Sequence, residues 1–273
     1  MHAISSPRLV QSRPGWRHAF LLLVLPLAAM STKARAQEAD WQVSIGGGGL
    51  YTPDYEGSDD YQLLPFPFVS VGYRDLFYLR GPEAGFNLLR LRPSDDVRIN
   101  LGPVARFRRD RPEDRNDDLI GLGDVDVAIE LGGALSIEYR DAWLRVSVAQ
   151  DVAGGHEGLV GEGEAGIRFD LADRLNASVS ARASWADRDY MGAYFSVTPT
   201  QSAASGLPVY QAGSGIKDAG AGLSLSYQLG RHWTISAIGG YTRLLGDAAD
   251  APLVTLRGSR DQWQGGLFLA YRF

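Results

Sequence analysis

The stretch that decides the fold is residues 263–273, WQGGLFLAYRF, at the C-terminal end of the chain. One face of this stretch carries Trp263, Leu267, Leu269, Tyr271 and Phe273, and the other carries Gln264, Gly266, Phe268, Ala270 and Arg272. A period of two over about ten residues is typical of one strand of a transmembrane β-barrel. Leu269, Tyr271 and Phe273 also resemble the C-terminal signal that the outer-membrane barrel assembly machinery reads. The last strand of a soluble β-sandwich would show the same alternation, so the rest of the chain must separate the two folds.

The N-terminal 36 residues have the pattern of a secretory signal peptide. Arg8, Arg13 and Arg17 form a basic region, and residues 19–30 (AFLLLVLPLAAM) form an apolar core too short to span a bilayer as a helix. Residues 34–36 (ARA) form an A-x-A cleavage site. We therefore expect residues 1–36 to be removed on export and residues 37–273 to form one domain.

The charge of the exported part is strongly negative. Residues 1–36 hold five of the 27 Lys and Arg residues and none of the 32 Asp and Glu residues, so 22 basic residues remain against 32 acidic ones, a net charge of −10. This balance argues against nucleic-acid binding, which requires a basic face. The chain has no cysteine, which excludes disulfides and thiolate chemistry.

Alternating segments recur along the whole exported chain. They occupy residues 41–51, 61–73, 76–80, 84–91, 97–107, 124–138, 142–149, 165–171, 175–185, 222–229, 233–242 and 263–273. Short turns and longer links alternate between them, as in barrels with short periplasmic turns and longer external loops. The pattern predicts twelve strands, or ten if residues 76–91 do not form two wall strands.

Aromatic residues favour the membrane barrel over the soluble sandwich. Several lie near predicted strand ends on the apolar face, where interfacial girdles belong. They are Trp41, Trp185, Trp233, Trp263, Tyr227, Tyr241, Tyr271 and Phe273. With the export signal and the last strand, they predict an all-β, antiparallel barrel in the outer membrane.

The polar faces of the predicted strands carry charges of both signs. These candidate lumen residues are Arg98, Arg106, Asp124, Asp126, Glu130, Arg145, Glu164, Arg168, Asp170 and Arg182. Unpaired charges in a narrow lumen would be costly, so we expect ion pairs across the barrel. The pairs would either fill a structural interior or line a selective pore.

We expect no catalytic, cofactor or metal site. His156, in the segment GGHEG at 154–158, is the only plausible base for a Ser-His-Asp set, but no G-x-S-x-G motif accompanies it. His156 and Glu157 alone would make an incomplete metal site. The residues of 108–118 (RRDRPEDRNDD) and the acidic residues of the other links are typical of a solvated rim, although such acids could hold a loose divalent cation.

Motifs in several links occur together in a specific order. The first is YTPDYEGSDDY at 51–61, and others are GGHEG at 154–158, SGLPVY at 205–210 and LLGDAADAPLV at 244–254. Within them the key residues are Tyr51, Pro53, Asp54, Tyr55, Glu56, Gly57, Gly155, His156, Gly206, Pro208, Asp247, Asp250 and Pro252. Taken together, these motifs resemble the MipA/OmpV family of Gram-negative outer-membrane proteins.

The resemblance implies a scaffold that brings a lytic transglycosylase together with a bifunctional murein synthase. It also implies contact with outer-membrane lipid and lipopolysaccharide. A periplasmic partner would meet the short turns, which offer little of the ~1,600 Å² that a standard interface buries. These turn residues are Arg74, Asp75, Arg140, Asp141, Asp173, Arg174, Arg231 and His232. The alternatives are a narrow channel and an adhesion or envelope-stress protein that acts through its external loops.

Overall fold

The computed structural model describes residues 40–273. The predicted signal peptide lies outside these residues. Within them, no helix combines the length and the apolar character needed to cross a bilayer.

Thirteen strands and four α-helices make up the described part of the chain. The strands are β1 (Trp41–Pro53), β2 (Tyr61–Tyr73), β3 (Phe77–Arg80), β4 (Glu83–Phe86), β5 (Leu89–Ser94), β6 (Val97–Arg108), β7 (Ala128–Tyr139), β8 (Ala142–Asp151), β9 (Leu159–Ala172), β10 (Leu175–Ala186), β11 (Gly215–Leu229), β12 (Trp233–Leu244) and β13 (Asp261–Arg272). The helices are α1 (Arg188–Phe195), α2 (Pro199–Ser205), α3 (Gly246–Asp250) and α4 (Pro252–Arg257). Two 3-10 turns lie at Glu113–Arg115 and Asp117–Leu119.

The strands close into an antiparallel barrel with twelve wall positions. Each strand pairs with its sequence neighbours, except that β4 and β5 do not pair with each other, and β13 pairs with β1 from Ser44↔Arg272 to Tyr51↔Gly265. Strands β4 and β5 both pair with β6 and together form one interrupted wall strand. The prediction of a twelve-stranded barrel, with residues 76–91 forming two wall strands, is confirmed.

The outer surface of the barrel is apolar. Leu223, Leu225, Leu267 and Leu269 are all exposed, as are the aromatic side chains of Trp41, Trp233 and Trp263. Alternate residues on the same strands point inwards, because successive side chains of a strand leave opposite faces. This band of exposed apolar side chains is the surface that lipid covers.

The two ends of the barrel differ in the length of their connections. At one end the connections are tight turns; Arg74 and Asp75 both have positive φ, as a type I′ hairpin turn requires. At the other end lie five long links, 54–60, 109–127, 152–158, 187–214 and 245–260, which contain all four α-helices of the described chain. We call these five links the loop cap.

The apolar core of the protein lies within the loop cap. Tyr190, Met191 and Phe195 of α1 pack against Val254 and its buried neighbours, and a second cluster contains Leu119. Links that were predicted to be irregular therefore fold as a packed layer over one end of the barrel.

Some predicted strand bounds were wrong. The segment predicted at 124–138 begins as a strand only at Ala128, because Val125 pairs instead with Arg111 across link 109–127. Strands β9 and β11 begin earlier than predicted, at Leu159 and Gly215. Their first residues include glycines and inward-facing polar residues, which hide the alternation.

Candidate functional site

A layer of buried charges lies inside the barrel below the loop cap. Its centre is Glu130 on β7, whose side chain is 0% exposed. Arg106 pairs with Glu130 across the β6–β7 ladder, with Nη1 3.3 Å from Oε2, and Arg108 forms a second ion pair through Nε. The Nε2 atom of His156 lies 3.1 Å from Glu130 Oε1. Three groups thus compensate one buried carboxylate, as burial of a charge requires.

The same network extends to other strands. Arg106 lies 3.2 Å from Glu83 on β4 and 2.9 Å from Glu162 on β9. Arg145 on β8 binds Glu83 and also the hydroxyl of Tyr78 at 3.0 Å. Arg106–Glu162 and Arg145–Glu83 join strands that are not neighbours in the wall, so ion pairs do span part of the lumen.

The remaining predicted lumen charges are more exposed. Arg98 and Arg168 each lie 3.8 Å from Glu138, and their side chains are 54% and 51% exposed. Arg182 lies 3.6 Å from Asp218. Glu164 and Asp170 are exposed and have no ion pair within residues 40–273.

Asp124 and Asp126 were assigned to the lumen, which the structure contradicts. Both precede β7 and lie in link 109–127. The carboxylate of Asp124 accepts the backbone N–H of Glu113 at 2.7 Å. Asp124 therefore serves the local structure of the link.

A second charged cluster ties the loop cap to the wall. Glu56 accepts hydrogen bonds from Lys217 at 2.8 Å and from the hydroxyl of Tyr190 at 3.0 Å. Lys217 also lies 2.7 Å from Asp218, which accepts the hydroxyl of Ser184 at 2.6 Å. Lys217 points inwards because β11 shifts its register beside Ser184 and leaves Lys217 as the extra residue of a bulge. Burial acts to raise the pKa of Glu56, but the charges of Lys217 and Arg108 lower it on balance.

Tyr190 on α1 joins the two clusters. Its hydroxyl accepts a hydrogen bond from Arg108 at 3.4 Å while it donates to Glu56. The guanidinium of Arg108 and the ammonium of Lys217 lie 5.3 and 5.4 Å from the centre of its ring, within cation–π range. Burial raises the pKa of Tyr190, so this phenol stays neutral.

His156 is a structural residue of the cap. It was expected in an external loop, yet it is 3% exposed. Its Nδ1 accepts the N–H of Gly158 at 3.0 Å, so the proton sits on Nε2 and is donated to Glu130. Asp151 accepts the backbone N–H groups of His156 and Glu157, each at 2.9 Å, and so holds the turn. Both ring nitrogens are engaged, which leaves neither free to act as a base.

Several residues of the family motifs shape the loop cap, some of them from buried positions and others, such as Gly206 and Asp247, from exposed ones. Tyr55 is buried, and Gly57 has a φ of +97°. Gly206 ends α2 in the left-handed conformation, and Pro252 begins α4. Asp247 accepts the N–H of Gly213 at 2.6 Å.

The remaining motif and terminal residues lie nearer the surface. The motif residues of this group are Tyr51, Pro53, Asp54, Gly155, Pro208 and Asp250. Leu269 and Tyr271 lie on the outer face of β13, and Phe273 is 72% exposed, with its N–H bound to the carbonyl of Val43 at 3.1 Å. Asp59, Asp60 and Asp118 come together at the rim of the cap, with carboxylate oxygens within 4.8 Å of one another.

A cavity of about 340 Å³ lies between the loop cap and the barrel wall. Its lining includes the arginines Arg108, Arg109, Arg111, Arg115 and Arg182 and the acids Asp54, Glu56 and Asp110. Arg108 and Arg111 were not among the predicted site residues, because the segment 108–118 is so rich in charge that it was predicted to be fully solvated. No local pattern marks which arginine of such a run turns inwards.

The chain is similar in sequence to known proteins over most of its length. The sequence profile of the family described as "MltA-interacting protein MipA" matches residues 45–273. Outer membrane protein Omp26La of Vibrio anguillarum is 26% identical over 240 residues, which cover 86% of this chain and 88% of that protein. YiaT of Escherichia coli K12, whose name assigns it provisionally to the outer membrane, is 25% identical over 87% of this chain and 92% of its own length. Among solved structures, the NanC porin aligns with 85% of this chain and 100% of its own, at 10% identity and a TM-score of 0.48.

Proposed function

Because this chain belongs to the MipA family of outer-membrane β-barrel proteins, we propose that it is a non-enzymatic scaffold of the cell envelope. In this role it holds a murein-hydrolysing lytic transglycosylase and a bifunctional murein synthase together at the periplasmic face of the outer membrane. The family's description as an MltA-interacting protein supports a protein partner of this kind.

The observation that carries the proposal is the difference between the two ends of the barrel. The cap end is filled by an apolar core and by the Glu130 and Glu56 clusters. The turn end presents exposed charges instead, including the ion pairs Asp40–Arg74 and Asp96–Arg140. A periplasmic protein therefore has a polar, accessible surface to bind.

The mouth of the lumen enlarges this surface. Arg98, Arg168 and Glu138 lie on the inner face beyond the buried layer, and both arginines are about half exposed. A partner segment that enters this mouth would add to the small area of the turns themselves. This answers the difficulty that short turns alone bury too little surface for a stable interface.

Site-specific photo-cross-linking in intact cells tests the scaffold. A photoreactive residue at Asp173, in an exposed turn, is expected to capture a lytic transglycosylase or a murein synthase, identified by mass spectrometry. The same probe at Leu256, exposed on α4 of the cap, is the matched control and should capture neither. The proposal would be contradicted if the probe at Leu256 alone captured either enzyme. It would also be contradicted if the probe at Asp173 captured only the assembly machinery.

A narrow channel is the second candidate function. The polar inner face and the half-exposed Arg98 and Arg168 favour it, whereas the ion pairs around Arg106 obstruct the same lumen. Steady single-channel conductance of the purified barrel in planar bilayers would favour the channel. A scaffold is expected to give none.

A role in adhesion has less support from the fold. An adhesin needs exposed side chains on its external links, but α1 of the longest link packs Tyr190, Met191 and Phe195 into the core of the cap.

A further inference from the structure

The barrel wall is incomplete beside the half of β2 that lies nearest the loop cap. Strand β2 pairs with β1 over its whole length, whereas β3 pairs with it only from Ser70 to Tyr73. The last bond on the β3 side joins the N–H of Gly81, at the tip of the β3–β4 hairpin, to the carbonyl of Val69 at 3.1 Å. Residues 61–68 therefore have a strand partner on one side only, within the part of the chain that the structure describes.

The gap beside residues 61–68 has a border on every side, and we call it the wall window. The tip of the β3–β4 hairpin forms its lower border, where the carbonyl of Pro82 accepts the N–H of Phe107 on β6 at 2.9 Å. Links of the loop cap close the top, where the side chain of Asn116 donates to the carboxylate of Asp60 at 3.1 Å. The wall is thus continuous below the window and covered by the cap above it.

Aromatic side chains place the wall window inside the lipid-covered band. Tyr51 and Tyr61 stack at the cap end of β1 and β2, with ring centroids 5.0 Å apart. Trp41 and Tyr73 form the corresponding pair at the turn end, at 4.6 Å. Such aromatic residues mark the two membrane interfaces, so residues 63–68 lie between them, in the leaflet on the cap side. An unpaired strand edge in contact with lipid is costly, and this edge needs an explanation.

The sequence of β2 is adapted to an unpaired edge. Alternate residues of an antiparallel strand direct their backbone groups to opposite neighbours. Since the carbonyl of Val69 bonds to Gly81, the other odd-numbered residues of β2 also direct their backbone groups towards the window. Pro65 and Pro67 stand at two of these positions and have no N–H to leave unpaired. The same prolines disfavour the addition of a strand from another protein, because that strand would find no donors there.

An apolar patch lies on the inner face of the wall directly behind the window. Leu64, Phe66 and Phe68 alternate with the two prolines and therefore point into the barrel, as do their ladder neighbours Leu50 on β1 and Phe268 on β13. The rings of Phe66 and Phe268 meet edge to face at 6.1 Å. All five side chains are partly exposed to the lumen. This apolar patch contrasts with the charged inner faces of β6 to β9.

From this arrangement we propose that the wall window admits a hydrocarbon chain of a membrane lipid, which lies on the apolar patch inside the barrel. Lipid already borders the window on the outside, where Leu63 is 71% exposed and Pro65 and Pro67 are exposed beside it. A chain that enters there covers apolar side chains that otherwise face water, which is favourable. The polar headgroup of the lipid stays at the interface, at the level of Tyr61. The barrel is then a lipid-binding protein as well as a membrane-embedded one.

Fluorescence quenching in reconstituted vesicles tests the wall window. The natural chain has no cysteine, so a bimane label can be placed at one position at a time. Phe66→Cys places the label on the apolar patch, and Leu63→Cys places it on the lipid-facing side. Ser180→Cys, on the inner face of β10, is the matched control, because β10 is paired along both edges. The quencher is phosphatidylcholine with a nitroxide on its acyl chain.

The label at Phe66→Cys is expected to be quenched nearly as strongly as the label at Leu63→Cys. It should be quenched several-fold more than the label at Ser180→Cys, which a complete wall separates from lipid. Equal quenching of the labels at Phe66→Cys and Ser180→Cys would overturn the proposal. Heat-modifiable migration on gels verifies that each variant is folded, and Leu64→Cys probes the same patch if Phe66→Cys does not assemble.

A variant that closes the window tests the route of the lipid chain. Thr-Val pairs added to both arms of the β3–β4 hairpin, together with Pro65→Val and Pro67→Val, give the free half of β2 a strand partner. Quenching of the label at Phe66→Cys is expected to fall to the level of Ser180→Cys in this background. Undiminished quenching in the folded, closed variant would show that lipid does not reach the patch through the window.

Discussion

Glu56 shows how a single side chain can connect a link to the barrel wall. It lies in link 54–60, and its partners Lys217 and Tyr190 come from β11 and α1, more than 130 positions away in sequence. Loss of this one carboxylate would release contacts of three segments at once. Glu130 likewise connects distant segments, because it binds Arg108 of β6 and His156 of link 152–158.

Glu56→Gln is expected to loosen the cap by about 1.5–3 kcal/mol at neutral pH, the range for hydrogen bonds to charged groups. Asp218 still compensates Lys217, which favours the lower figure. The pKa of Glu56 is lowered from its ordinary 4.5 in the folded protein, so this contribution is present above that pH and is lost as the pH falls through the folded value. Amide hydrogen exchange of α1 at pH 7 and at acidic pH measures it. Equal acid sensitivity in the variant and the natural protein would show that another group is responsible.

His156→Ala is expected to destabilise the protein by about 2–4 kcal/mol, because Glu130 and Gly158 each lose a buried hydrogen-bond partner. His232→Ala is the control. The exposed side chain of His232 contacts the carbonyl of Arg272 and the ring of Tyr271, so its replacement should cost about 0.5 kcal/mol. Denaturant unfolding in detergent micelles compares the two. If a stably folded His156→Ala barrel no longer captured the murein enzymes in the cross-linking experiment, a purely structural role for His156 would be contradicted.

At the scale of elements, the closing seam between β1 and β13 depends on glycine. Gly48 faces inwards beside Phe268, and a Cβ there would lie 2.0 Å from the carbonyl oxygen of Leu267 and 2.7 Å from the Phe268 ring. At Gly47, on the outer face, the nearest atom to such a Cβ is 3.6 Å away. Two neighbouring glycine positions of one strand thus differ greatly in whether they can accept a side chain.

Gly48→Ala is therefore expected to destabilise barrel closure by about 1–3 kcal/mol, as overpacking does, and Gly47→Ala to be tolerated. The yield of heat-modifiable barrel on unheated gels measures closure for both variants. Similar yields from the two would mean that the seam adjusts to the added methyl group.

At the scale of the whole molecule, the barrel has one packed end and one open end. Because long links face outwards and short turns face the periplasm in barrels of this type, the cap is expected at the cell surface. This orientation also places the proposed protein-binding surface in the periplasm.

Cysteine labelling checks the orientation, since the natural chain has no cysteine to interfere. Leu256→Cys on the cap is expected to react with a membrane-impermeant maleimide on intact cells. Asp173→Cys in a turn should react only after the outer membrane is permeabilised. The reverse labelling pattern would show that the barrel has the opposite orientation, with the proposed partner surface at the cell surface.

The sequence by itself determined the strands, the turns and the closed wall. Period-two alternation is a local property, and the apolar face of Leu267, Leu269 and Tyr271 can be recognised without knowing its neighbours. Strand starts were misjudged where glycines or inward polar residues replaced the alternation, as at Leu159 and Gly215. Links 109–127 and 187–214 carry no such period, so their packing was not predicted.

Only the tertiary structure decided which charges are buried. Arg109 and Arg111 stand two positions apart in one charged run, yet Arg109 is half exposed and Arg111 is enclosed by the cap. The partners that settle this, Ala193 and Tyr194, lie on a helix about eighty residues further on. Burial of a charge depends on contacts between distant segments, and no local pattern in one sequence records them.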